Sequence, residues 1–269
     1  MLSFAESFAV WTLATAVPAV VGISLVFFVG KGAGPRLAAA FALGIFFWFF
    51  VDTIEGSSDL FVNFGFTGGV DQVAVVLLFA FGVLALFFVD DLLGQGLFSG
   101  TQAAGTLPIV PILAALAVGI HGLGEGAAFG STASLTSSTS ILDAFGGVTA
   151  GVAYALHKML EPMMVGAIYV AYSKARPDLP TGTTIRDLLV MTILFVTPSL
   201  LGAVTGYFIN YDSTYFFGLG TGTSIYVALR LGRQSLAPLP SSTGHEALKF
   251  ALALVLGFML IYIAALFHS

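Results

Sequence analysis

Apolar runs of the length that crosses a lipid bilayer recur along this chain, and they constrain its fold more than any other feature. A hydrocarbon layer of roughly 30 Å is crossed by about 20 helical residues, because backbone amides surrounded by lipid must bond within their own segment. The 269 residues are 58% hydrophobic and 9% charged, with a mean hydropathy of +1.00, which is more apolar surface than a soluble core can hide. A β-barrel would show alternating segments of about ten residues, and stretches such as 73–89 do not alternate. The sequence therefore predicts an all-α integral membrane protein. The ionisable groups behind its net charge of −5 are few, and no nucleic-acid partner is indicated. Without Cys, a metal would have to be held by His, Asp, Glu, amide or water ligands.

Gly, Pro and charged residues punctuate the apolar runs into about eight spans, near 8–29, 36–54, 71–89, 108–130, 145–172, 187–208, 213–230 and 247–266. The connections are short, the longest running from Asp90 to Leu107, so the chain reads as a single membrane domain over 1–269. Basic residues test the count. Lys31 and Arg36, then Lys174, Arg176 and Arg186, then Arg230, Arg233 and Lys249 fall in the connections 1–2, 5–6 and 7–8. All three lie on one side of an eight-span protein, which the positive-inside rule makes cytoplasmic and which leaves both termini extracytoplasmic. The ninth basic residue, Lys158, sits inside span 5.

Charges at bilayer depth cost about 2.5–3.5 kcal/mol each even on the lenient insertion scale, so a functional role is their default reading. Here they form a pattern. Span 4 carries His121-Gly122-Leu123-Gly124-Glu125 and span 5 carries His157-Lys158-Met159-Leu160-Glu161, each a His followed four residues later by a Glu. Residues i and i+4 share a helix face, where an imidazole and a carboxylate can grip one cation, and two such helices supply four ligands. Both motifs fall near the bilayer midplane. The same side chains could instead bond each other and hold two helices together. Gly122, Gly124 and Gly126 could weaken span 4, and Pro162 could free the carbonyl of Lys158 beside the site, although glycine also serves close helix packing. Packing is the favoured role of Gly218, Gly220 and Gly222 in span 7. His245 and His268 are read as interface residues. Asp52 and Glu55, at the end of span 2, could draw cations to an extracytoplasmic entrance or be solvated helix-end carboxylates.

The two pentads resemble those of the ZIP family of divalent-metal transporters, whose fourth and fifth spans typically carry His-Asn-x-Pro-Glu-Gly and His-Glu-x-Pro-Glu-Gly. The span count and extracytoplasmic termini agree, and Thr197-Pro198 in span 6, Ser224 and Tyr226 in span 7 and Gly257-Phe258 in span 8 are weaker echoes. The resemblance implies a bundle with an inverted repeat and a metal site between helices 4 and 5. It also implies that His121, Glu125, His157 and Glu161 hold a divalent ion. In family members with two metals, the second position draws on the residue after each His and an acid in span 6. Here those are Gly122, Lys158 and Thr197, none of them acidic. A single ion is therefore expected, unless Lys158 turns away from the site.

The expected function is transport of a divalent cation toward the cytoplasm, Zn²⁺ first and Fe²⁺, Mn²⁺, Co²⁺ or Cd²⁺ also compatible with imidazole and carboxylate ligands. The metal is substrate; no prosthetic group and no enzyme chemistry are expected. The partners are metal ions and the lipid bilayer, with oligomeric state open and a homodimer included. The His-Glu-x-x-His string of a membrane metalloprotease is missing. A retinal Schiff base on Lys158 conflicts with its place between His157 and Glu161. Proton translocation or an ion channel using the same His/Glu pairs is the alternative. Tags fused to either terminus should be reachable by antibody on intact cells; protection of both would show the topology inverted or the spans miscounted.

Overall fold

The structure, a computed structural model, describes residues 3–32, 34–58, 70–92, 108–135, 145, 147–174, 176, 178, 180–209, 214–235 and 244–265. These residues form eight long helices: α1 (Phe4–Val29), α2 (Pro35–Ser58), α3 (Val70–Leu92), α4 (Ile109–Leu135), α5 (Val148–Lys174), α6 (Thr181–Phe208), α7 (Thr214–Ser235) and α8 (Gly244–Ala265), with a 3₁₀ turn at Gly30–Gly32. No strand occurs among the described residues. The helices α1, α3, α4, α6 and α8 each contain a stretch long and apolar enough to cross a membrane. This is the architecture of an all-α membrane protein.

Local chemistry agrees with helices in a solvent that cannot bond to them. At the start of α1, Ser3 accepts from the Glu6 amide while Glu6 Oε2 accepts from the Ser3 amide at 2.9 Å, a capping box that satisfies end groups. Within the helices, hydroxyls return to their own backbone: Thr12 donates to the Phe8 carbonyl at 2.7 Å and Thr192 to that of Leu188 at 2.9 Å. Large apolar side chains such as Leu77, Phe81, Leu84 and Phe88 of α3 stay exposed, a surface suited to lipid. Burial separates centre from rim. In its most apolar window α4 is 72% buried, whereas α8 is 11% buried.

The helix pairs in contact follow an exchange pattern. The pair α4–α6 corresponds to α1–α5, α2–α8 to α3–α7, and α4–α7 to α2–α5 when α1 is exchanged with α6, α2 with α7, α3 with α8 and α4 with α5. Each of the four closest interfaces is made by glycines lying on facing carbonyls. A Cβ at Gly126 would fall on the Ser199 carbonyl and one at Gly202 on that of Leu123, joining α4 to α6. Gly22 meets Met159 and Gly166 meets Ile23 between α1 and α5; Gly44 and Gly257 serve α2–α8, and Gly82 and Gly222 serve α3–α7. In lipid, helices associate through such close van der Waals contact, because apolar burial alone does not drive them together. Of the two roles open to the glycines of span 4, Gly126 takes packing, and α4 is continuous. Helix α5 likewise runs through Pro162. Gly218, Gly220 and Gly222 pack against Val75, His121 and Phe79 as expected.

The helices extend beyond the apolar runs because internal hydrogen bonding continues past the first charged residue. Asp90, read from sequence as the start of a connection, lies in α3 and is 0% exposed. It accepts from Tyr226 Oη at 2.6 Å and faces Arg230 Nε at 2.9 Å, so Arg230, placed at the edge of span 7, is a buried partner inside α7. Tyr169 of α5 donates to Asp187 of α6 at 3.1 Å.

Two outcomes test this packing. Replacing Gly126 or Gly202 by Leu should cost about 1–3 kcal/mol or more and lower the thermal midpoint of the purified protein. Gly182→Ala, where a Cβ meets nothing within 4 Å, should leave it unchanged. Removing one member of a buried ion pair costs about 3–5 kcal/mol. Asp90→Leu and Arg230→Met should therefore each destabilise strongly, and the double variant should recover most of the loss; additive losses would mean the two residues do not act as a pair.

Candidate metal centre

The pentads sit close to the middle of two 27-residue helices, His121 and Glu125 on α4 and His157 and Glu161 on α5. Helical spacing turns each pair to one face, and the α4–α5 contact brings the faces together. His157 Nε2 lies 3.1 Å from Glu161 Oε1 and 3.8 Å from Glu125 Oε1. His121 Nε2 lies 3.8 Å from Glu125 Oε1 and 3.9 Å from Glu161 Oε1. Oε1 of each carboxylate therefore lies within 3.9 Å of both imidazole nitrogens.

Zinc with nitrogen and oxygen ligands at about 2.0–2.2 Å in tetrahedral geometry separates its ligand atoms by about 3.3–3.6 Å. The four N···O separations observed, 3.1–3.9 Å, bracket that edge length. His121, Glu125 and Glu161 each offer one ligand atom within 4.8 Å of the others; His157, close to both carboxylates, is not within that distance of His121, so the two imidazoles would have to draw together to complete a tetrahedron. The Glu161 side chain is 0% exposed and that of Glu125 16%, making Glu125 the more accessible carboxylate.

Lys158 faces the centre. Its ammonium donates to Glu161 Oε2 at 2.7 Å and contacts Glu125 Oε2. Gly122 is also beside the site, with Ser199 and the Glu125 carboxylate nearest to where its Cβ would project. Thr197 is not brought in. It is exposed on α6, and Ser199, two residues on, is the α6 side chain next to Gly122. Ser199 Oγ and its carbonyl accept from Trp11 Nε1 at 3.1 and 3.3 Å. Neither Ser199 nor Trp11 was singled out from sequence, because a lone Ser or Trp in an apolar run carries no periodic or charge signal. Asp52 and Glu55 lie in the last turns of α2, with their side chains outside the described part of the chain. His245 is exposed at the start of α8, and His268 lies outside the described residues.

Apolar packing closes the centre along α4 in both directions. One turn past Glu125, Phe129 joins Trp11, Phe145 and Tyr154, its ring stacking on Trp11 at 4.4 Å and meeting Phe145 at 5.1 Å. One turn before His121, Ala117 and Val118 are 0% exposed in the main core. No protein-family model matches the chain, and no curated protein matches it in sequence.

Proposed function

We propose that this protein carries a divalent transition-metal cation, Zn²⁺ foremost, across the cell membrane toward the cytoplasm through the centre formed by His121, Glu125, His157 and Glu161. The observation that carries this reading is that two equally spaced pentads at mid-helix hold Oε1 of Glu125 and of Glu161 between two imidazoles, with His121, Glu125 and Glu161 close enough to share one ion. Imidazole and carboxylate are ligands for zinc and its neighbours in the first transition row. A purely structural link between α4 and α5 would be met by one His–Glu pair. The resemblance of the pentads to those of ZIP transporters points the same way.

All eight helices act as spans in this proposal. Helices α2, α5 and α7 are less apolar because they carry the charged, hydroxyl and glycine residues of the interior. Their 24, 27 and 22 residues rise about 33–40 Å, enough for a hydrocarbon layer of roughly 30 Å. The basic residues other than Lys158 then gather at one end, which sets the termini outside. The Trp11–Phe129–Phe145–Tyr154 cluster stands on the extracytoplasmic side of Glu125. Passage of an ion requires that cluster to part, followed by the apolar core around Ala117 and Val118.

His121→Ala and Glu161→Ala should each abolish uptake of radioactive zinc into proteoliposomes while the protein remains folded by size-exclusion chromatography. Full uptake by both variants would leave the pentads only a structural role. The alternative, proton translocation, is favoured by the contiguous His157–Glu161–Lys158 network. Proton flux without zinc binding by the purified protein would select it.

A further inference from the structure

Each carboxylate of the centre is divided between two cationic positions. Oε1 of Glu125 and of Glu161 faces the imidazoles, whereas Oε2 of both is taken by the Lys158 ammonium. Carboxylates that bridge two metal ions are shared in the same way, one oxygen to each ion. The Lys158 side chain is 1% exposed and lies between two aromatic faces, its Nζ 5.9 Å from the Tyr154 ring centroid and 5.8 Å from that of Phe195. Both rings offer the cation a further favourable field. Gly122 follows the α4 His as Lys158 follows the α5 His, so α4 presents no second such side chain.

We infer that Lys158 is a permanent, covalently tethered second cation of the centre, which limits it to one divalent ion per chain. This rests on the metal-transport reading above. With both imidazoles neutral, two carboxylates and one ammonium leave the empty centre with a single negative charge. The two carboxylates, which would otherwise repel each other where water is scarce, are held with their free oxygens toward the imidazoles. One divalent ion fits that charge. A second would have to displace the ammonium from both Oε2 atoms and strand it where no water reaches, and neither Gly122 nor Ser199 supplies an acid to hold the newcomer.

The test counts zinc on the purified full-length protein in detergent, by calorimetric titration and elemental analysis, against a His121→Ala/Glu161→Ala background that removes surface binding. Wild type should hold one Zn²⁺ per chain, with no metal–metal distance in its X-ray absorption spectrum. Lys158→Glu should hold two, with a metal–metal distance of about 3.5–4 Å. Two ions in wild type at that separation would overturn the inference whether or not the variant folds. One ion in wild type and one in a folded Lys158→Glu protein would also overturn it, while leaving the transport centre intact. Wild type that binds no zinc above background would overturn the transport reading, and the inference with it.

Discussion

The close approach of helix backbones, glycine against carbonyl, is the constraint on which the rest of this structure depends. Lipid competes with apolar side chains as well as another helix does, so association needs dense contact rather than greasy surface. Reciprocal pairs such as Gly126 with Gly202 and Gly44 with Gly257 supply it by letting one backbone rest on the other. Weak Cα–H···O contacts accompany such approaches. Because the same device joins α1 to α5 and α4 to α6, the two pentad helices are each clamped to a partner. That fixes how they can present His121 and His157.

Among the described residues, the buried carboxylates are each answered by a cation or a hydroxyl. Asp90 is met by Tyr226 and Arg230, Asp187 by Tyr169 and Arg186, and the Glu125–Glu161 pair by Lys158. The first two tie neighbouring helices and use up their partners. In the third, one ammonium answers two carboxylates, and the remaining oxygens turn toward imidazoles. The aromatic cluster on one side and the alanine and valine packing on the other border the centre with apolar side chains, where charge interactions are stronger than in water.

Helix type and approximate position were legible because lipid makes them so: a run of apolar residues long enough to cross cannot be anything else with its amides bonded internally. Helix ends were less legible. Asp90 and Arg230 were read as connection residues by their charge, yet each is buried because the other is there, on a helix more than a hundred residues away in sequence. The role of Gly126 was ambiguous for a related reason: whether a glycine weakens a helix or lets another approach depends on what faces it. Thr197 and Ser199 differ by two positions in one helix, and only the rotation of α6 decides which of them faces Gly122.

By itself the sequence determined the all-helical class, the two His–Glu pentads and their place near the middle of their helices, since apolar length and i, i+4 spacing are local properties of one helix. The tertiary structure decided that α4 and α5 face each other, that Oε1 of Glu125 and of Glu161 lies between the two imidazoles, and that Lys158 turns inward to bridge both carboxylates. Those are relations between helices. They are set by which glycine lies on which carbonyl, and no spacing within a single segment encodes them.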